Sequence, residues 1–472
     1  MVFAEDKGMS NLPRLSRLLL SLPAAAPVRL VHLGLGNFHR AHQAWYTANA
    51  SDASEWGIAA FTGRRPDTAD ALAPQDGLYT LITRSAEGDS FEVIEAISAV
   101  HPASDHQAYL DYLRRPEVAA MTITVSEAGY LRGPDGHLDR SRDVITADTA
   151  ALQDNIEAPV SSLPGKLVAG LPARRAADAG PISILSCDNL PENGAVTRTV
   201  VTDLAAVVDD SLLAWMENNV DFATSMVDRI TPGTTAEDRS VVAQAQGYED
   251  ASPVPTEPFA EWVISGRFDA GRPAWEGAGA RLVEDITPYE QRKLWLLNAS
   301  HSLLAYAGSI RGHATIDEAI ADPQCRSWVE TLWDEACRHL TLPAEMIADY
   351  RVELLRRFAN PRVRDQLSRI AADGSVKLPV RIVPPLLAER AEGRMPVGGA
   401  TAIAAWILHL RGHGAPVKDP GADRARSAAA ADDEPTAVSG VLETLHSGLG
   451  DDSALVRVII EQMEALNLGE RR

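Results

Sequence analysis

The chain has 472 residues, 45% of them hydrophobic, with 65 acidic against 44 basic side chains and a formal net charge of -21. That length suits two large domains or three ordinary ones, and the lack of a dense Lys or Arg run excludes the electrostatic footprint of a nucleic-acid binder. Cys187, Cys325 and Cys337 are scattered, odd in number and without metal-ligand spacing, so they read as core thiols in a reducing cytoplasm rather than as a disulfide or zinc framework.

In chain order, RLSRLLLSLPAAAP (14–27) imitates a targeting signal, but its apolar core is short, Ser21 breaks it, and Glu5 and Asp6 stand where a signal is positive. Leu12, Leu15, Leu18, Leu19 and Leu22 fit one face of a helix, which predicts an amphipathic lead-in helix. Six runs then read as strands: VRLVHL (28–33), GIAAFT (57–62), LYTLI (78–82), FEVIEAI (91–97), MTITV (121–125) and ISILS (182–186). Their alternation with helical stretches up to about residue 285 predicts an α/β fold with a largely parallel sheet. After TPYEQRKLW the period becomes helical, in WVETLWDEACRHL, RVELLRRFANPRVRDQLSRI, TAIAAWILHL and SALVRVIIEQMEAL. RSAAAADDEPTAVSG (426–440) reads as an exposed loop. The longest charge-free run, between Lys293 and Arg311, falls short of the ~20 apolar residues of a bilayer span, so a soluble, cytoplasmic protein is expected.

The first strand runs into LGLGNFHRAHQAWYTANA, where Gly34 and Gly36 precede a helix. A Rossmann fingerprint places glycines at such a turn so that backbone approaches a pyrophosphate at a helix N-terminus. The third fingerprint position holds His39, so the pattern is only G-x-G, which an ordinary strand-to-helix turn also satisfies. With Asn37, Phe38 and Arg40 this turn is the candidate cofactor site. The second strand should end in an acid for the adenosine ribose. It ends in Thr62, Gly63, Arg64 and Arg65, with Asp67 a little later, so the arginines suit a 2′-phosphate, Asp67 suits a ribose hydroxyl, and NAD and NADP both stay open. His39 and His42 are three apart, as helix-borne metal ligands can be, yet no HExxH or further ligand accompanies them. They are expected to pack at the turn.

If TPYEQRKLWLLNASHSLLAYAG is an α-helix at 100° per residue, Glu290, Lys293, Asn298 and His301 occupy one side among leucines. Thr287, Pro288 and Glu290 are the N-cap, first-turn proline and N3 acid of a helix start. Glu290 and Lys293 alone would be a surface pair. Asn298 and His301 on the same face instead predict a buried polar network, in which a lysine pKa is lowered. Further polar residues follow strands, where α/β proteins place their sites: Asp188 and Asn189, Glu127, and Asp228 with Arg229. Such residues are also common in plain turns. Together they are expected to converge on one cleft.

On GLGNFHRAHQA, SCDNLPENGAVTR, MVDRITP, GRPAWE, KLWLLNASH and DGSVKLP, the chain resembles the polyol-specific long-chain dehydrogenases, which include mannitol 2-dehydrogenase, arabinitol dehydrogenase and fructuronate reductase. The resemblance implies a Rossmann-like dinucleotide-binding domain over 1–284 and a mostly α-helical domain over 285–472, metal-independent chemistry and an active site between the two. It implies Lys293 as general base, Asn189 and Asn298 as hydrogen-bond donors to the substrate oxygen, His301 as a positioning residue and Glu290 as the lysine's link to solvent. Asp228, Arg369 and Lys377 are matched to residues holding distal hydroxyls, and Gly34 and Gly36 to the cofactor turn. TVSEAGY, carrying Glu127, replaces the commoner TITEGGY, and NASH replaces NGSH. The implied reaction is NAD(P)-linked interconversion of a sugar alcohol and a ketose, by a monomer or small homo-oligomer. Reduction of a hexuronate, whose carboxylate needs a further cation such as Arg369, is the alternative within the class. A non-catalytic dinucleotide- or sugar-binding protein is the alternative outside it.

Overall fold

The computed structural model describes residues 12–363 and 365–469; Glu5 and Asp6 lie outside them. The chain divides into two compact units, Met1–Ile286 and Thr287–Arg472. Among the described residues no helix is long and apolar enough to cross a membrane.

Unit one carries β1 (Val28–Leu33), β2 (Gly57–Phe61), β3 (Tyr79–Ser85), β4 (Gly88–Ile94), β5 (Ile97–His101), β6 (Ala120–Ile123), β7 (Ile182–Ser186), β8 (Val220–Asp228), β9 (Val254–Thr256), β10 (Glu261–Ser265) and β11 (Arg281–Leu282). Eight of them form one sheet in the order β11-β10-β8-β7-β6-β1-β2-β5. Every pair in it is parallel except β8 with β10. The central strands are buried because both faces are covered: β2 is apolar throughout, while β1 buries His32 and β7 buries Ser183 and Ser186. Val31, Leu33, Ala59 and Phe61 face one core with Tyr109, Leu167 and Val200, while Leu30, Ile58 and Ala60 face the other with Tyr46, Trp262 and Trp275.

Several expectations are corrected here. FEVIEAI is two strands: β4 pairs with β3, β5 pairs with β2, and the chain passes between sheets at Glu95 and Ala96. There Arg17 donates to the Glu95 carboxylate at 3.1 Å and carbonyl at 3.0 Å. LYTLI and the first part of FEVIEAI therefore belong to a separate sheet, β4-β3-β9. Among the described residues no lead-in helix forms. Arg14 instead bridges to Glu249, and the Leu15 amide donates to the Glu249 carbonyl at 2.9 Å. Ser21 closes the following turn at φ +54°, Leu15 is buried, and Leu18 is left 90% exposed.

Unit two is helical. Val397–Leu410 is buried on nearly every side, as its apolar sequence, broken by Thr401 and His409, requires, against neighbours including Pro323–Cys337 and Ser453–Gly469. The stretch 351–370 breaks after Phe358, ahead of Pro361, and resumes as Leu367–Ile370. RSAAAADDEPTAVSG is not a loop: it lies largely in the helices Asp423–Ala429 and Glu434–Leu445. Alanine is the best helix former, and Asp433 caps the second helix by accepting from the Thr436 amide at 3.0 Å.

Candidate functional site

In unit one the site begins where β1 ends. Gly34 turns at φ +106°, and a Cβ there would lie 1.9 Å from the Thr124 carbonyl oxygen, so only glycine fits. The Gly34 and Leu35 amides both donate to the Phe61 carbonyl, at 3.0 and 2.9 Å, and Thr124 Oγ1 donates to the Gly34 carbonyl at 2.9 Å. The turn is thereby fixed to the exits of β2 and β6. Gly36 caps the helix Asn37–Ala41, and a Cβ on it would meet nothing nearer than 3.7 Å. A tight turn with open main chain at a helix start fits the pyrophosphate of a dinucleotide.

The neighbouring residues brace this turn. Asn37 Nδ2 donates to the Pro232 carbonyl and Thr234 Oγ1, each at 3.0 Å, and Asn37 Oδ1 accepts from buried Arg40 at 2.6 Å. Arg40 also donates to Ser252 Oγ at 2.9 Å, so its guanidinium faces protein. Phe38 stacks on His42 with ring centroids 5.1 Å apart. His39 is buried and stacked on His32 at 3.3 Å; burial pushes His32 down to about 3 and His39 well below its ordinary value. His42 Nε2 lies 3.0 Å from the Glu261 carbonyl. Both histidines of the turn pack, as expected. Asp67 is exposed at the start of Asp67–Leu72, 3.3 Å from Arg65. Glu127 is exposed and opens the short turn Glu127–Tyr130, 3.9 Å from Arg132.

At the ends of β7 and β8 the polar residues have different surroundings. Asp188 is buried; its carboxylate accepts from the Val125 amide at 2.6 Å and from the Tyr130 hydroxyl. Asn189, next in the chain, is exposed. Asp228 ends β8 and is buried. Arg229 is structural: it donates to the Ala41 carbonyl at 2.6 Å and lies over the Trp45 ring.

In unit two the helix carrying the polar face is not regular. It runs as α-helix over Thr287–Arg292, π-helix over Lys293–Asn298, α-helix over Ala299–Leu303 and π-helix over Leu304–Gly308. The uniform advance of 100° per residue is therefore corrected. On an α-helix Lys293 and Asn298 would be about 140° apart. In a π-turn the ladder runs i to i+5, which brings residues five apart into line. The K-x4-N spacing is thus the spacing of this turn. The carbonyls it displaces find side-chain donors: Trp333 Nε1 reaches the Leu296 carbonyl at 3.1 Å, and Ser300 Oγ reaches it at 2.6 Å. Arg381 donates to the Asn298 carbonyl at 3.2 Å and to Ser302 Oγ at 3.1 Å.

Glu290, Lys293 and Asn298 are all buried, at 8%, 8% and 6% exposure, and His301 is half-buried beside Phe358. Asn298 Nδ2 is a buried donor with no hydrogen-bond partner among the described residues. Such a group marks a place where a ligand acceptor is wanted. Lys377 is half-buried and donates to the Ala372 carbonyl at 2.6 Å; burial lowers its pKa. Arg369 is 70% exposed and paired with Asp365. Trp333 and Arg381, which hold the π-turn, escaped the sequence reading because their partners are about 37 and 83 positions away. A lone arginine four residues after Lys377 was the only hint.

Comparison with known proteins follows the same division. The family model for the mannitol dehydrogenase Rossmann domain matches residues 28–277, and that for the mannitol dehydrogenase C-terminal domain matches residues 285–467. A D-arabinitol 4-dehydrogenase of Ralstonia nicotianae is 39% identical over 82% of this chain and 84% of its own. A D-mannonate oxidoreductase of Escherichia coli is 36% identical over 83% of each chain. A solved mannitol 2-dehydrogenase of Pseudomonas fluorescens, in a ternary complex with NAD and D-mannitol, superposes with a TM-score of 0.80, 32% identity and 97% coverage of both chains.

Proposed function

The chain belongs to the mannitol dehydrogenase family, and from that premise we propose that it is an NAD-dependent dehydrogenase interconverting a sugar alcohol and its ketose, as in the pairs mannitol and fructose or arabinitol and xylulose. The observation that carries the reading is the π-turn, which carries a buried lysine and, five positions on, a buried carboxamide whose donor has no hydrogen-bond partner among the described residues. Gly34 and Gly36 would hold the dinucleotide pyrophosphate, with Asp67 at the adenosine ribose and Glu127 beside the turn. When bound, NAD supplies the hydride acceptor.

The residues of the chain handle the proton and the charge. A free lysine, with a pKa of ~10.4, is protonated at neutral pH. Lys293 is buried; in its neutral form its amine accepts the carbinol proton, and Glu290 passes that proton on. Asn298 and Asn189 donate to the oxygen as negative charge develops there, without protonating it. His301, Asp228, Arg369 and Lys377 orient the rest of the polyol. In the reducing direction the Lys293 ammonium returns the proton to the nascent alkoxide. This chemistry needs no metal, and the scattered free thiols suit a cytoplasmic enzyme.

A substrate bearing a carboxylate is the second reading. Arg381 makes no ion pair among the described residues, and the relative named as a D-mannonate oxidoreductase has an acid in its substrate's name. Following NAD(P)H absorbance with mannitol, arabinitol, sorbitol, fructose and fructuronate, and with both dinucleotides, tests the proposal. NAD-linked turnover of a polyol or ketose is expected. Turnover of fructuronate alone would favour the second reading, and no turnover of any substrate would overturn both.

A further inference from the structure

The motif SCDN-x-x-x-NG contains three polar residues, Ser186, Asp188 and Asn193, that the proposed chemistry leaves without a task. All three are buried and belong to one network. Asp188 accepts from the Val125 amide and the Tyr130 hydroxyl, both on the segment leaving β6. Asn193 Nδ2 donates to the Asp188 carbonyl at 3.0 Å and the Ser225 carbonyl at 2.8 Å, and its Oδ1 accepts from the Ser225 amide at 3.1 Å. Ser225 Oγ donates to the Ser186 carbonyl at 2.7 Å, and Thr197 Oγ1 lies 2.5 Å from Ser186 Oγ. Gly194 lets this helix start press on β8, since a Cβ would come within 2.8 Å of the Ala223 carbonyl. The network ties the carboxyl ends of β6, β7 and β8 together.

Its effect falls on one peptide. The Asp188 carbonyl and the Asn189 amide share a rigid plane. Asn193 holds the oxygen of that plane while Val125 and Tyr130 hold the Asp188 side chain, so the base of exposed Asn189 is fixed from within. We propose that Asp188 and Tyr130 form a positioning pair that sets the direction of the Asn189 carboxamide toward the substrate oxygen. The inference rests on the dehydrogenase reading above. A buried, fully satisfied network is the kind of support that holds a donor to the tolerance that transition-state stabilisation needs.

The test is a mutant cycle in the full-length enzyme, using whichever polyol of the panel the wild type oxidises. Tyr130→Phe removes one oxygen and leaves the ring in place. It is expected to lower kcat by on the order of 10²-fold, as a small misplacement of a catalytic group does, while the KM for NAD stays within about twofold. In an Asn189→Ala background the same change should have no further effect on kcat, which a merely structural loss would not reproduce. Asp188→Asn should behave as Tyr130→Phe does; if it fails to fold, Tyr130→Phe alone decides. Unchanged kcat in Tyr130→Phe, or losses that multiply with that of Asn189→Ala, would overturn the pair. An inactive wild type would instead remove the reading beneath it, so the two failures are distinct.

Discussion

At the scale of single residues, the face carrying Lys293, Asn298 and His301 was legible because polar groups in an apolar run demand a reason. The burial of Lys293 and Asn298 supplies part of it, and the Asn298 donor, which has no hydrogen-bond partner among the described residues, supplies more. Lys293→Ala should abolish nearly all turnover while NAD binding, followed by NADH fluorescence titration, stays intact; near-normal turnover would refute the base. Asn298→Ala should lose ~10²–10³-fold in kcat, the usual consequence of removing one oxyanion donor. A change confined to KM would count against that role. Arg40, Asn37 and Arg229 show the limit of reading residues singly. Each follows a strand or turn as site residues do, yet each points into protein, because residues far along the chain supply their acceptors.

At the scale of elements, strands buried on both faces announced themselves, and VRLVHL and ISILS match β1 and β7 residue for residue. Partnership was less legible than existence. Nothing local tells that the FEVIEAI run changes sheets at Glu95, and the apolar pattern of β8 is interrupted by Asp221, Thr224 and Ser225, which serve the adjoining network and turns. The π-turn was hidden for a related reason: its displaced carbonyls are satisfied by Trp333 and Arg381 from other helices. Trp333→Phe tests this. The indole is fully buried, and losing its N–H should cost about 1–3 kcal/mol through the Leu296 acceptor and its surroundings. Thermal unfolding should shift down by several degrees, and kcat should fall while NAD affinity holds. A variant with lowered stability and unchanged kcat would separate the turn from catalysis.

At the scale of the whole molecule, two opposed sets of carboxyls shape stability against pH. Asp322 would be raised by burial, but hydrogen bonds from His313, Arg311 and the Gln324 amide outweigh this and hold it at about 2, and Arg394 leads the groups that hold Glu389 at about 2. These two contribute stability above their ordinary values of 3.8 and 4.5 that is lost as pH falls toward 2. Burial raises Asp188 and Glu335 to about 7. Their contribution is fully present below 3.8 and 4.5 and is lost as pH rises through 7. A formal charge of -21 at pH 7 adds self-repulsion on the alkaline side. Melting temperature should therefore peak in mildly acidic buffer and decline toward pH 8, with Glu335→Gln flattening the alkaline decline. A peak at or above pH 8 would contradict this assignment.

The wide coil between Lys293 and Asn298 also acts as a ruler. Inserting one residue inside it would set the carboxamide six positions from the amine, about 240° away at the α-helical advance and beyond the five-residue step of the wide turn. The amine, the carboxamide and the imidazole would all survive in such a chain, none of them substituted, yet they would no longer converge. An insertion in that interval is therefore expected to be more damaging than most replacements within it, although a tally of retained side chains would record no loss.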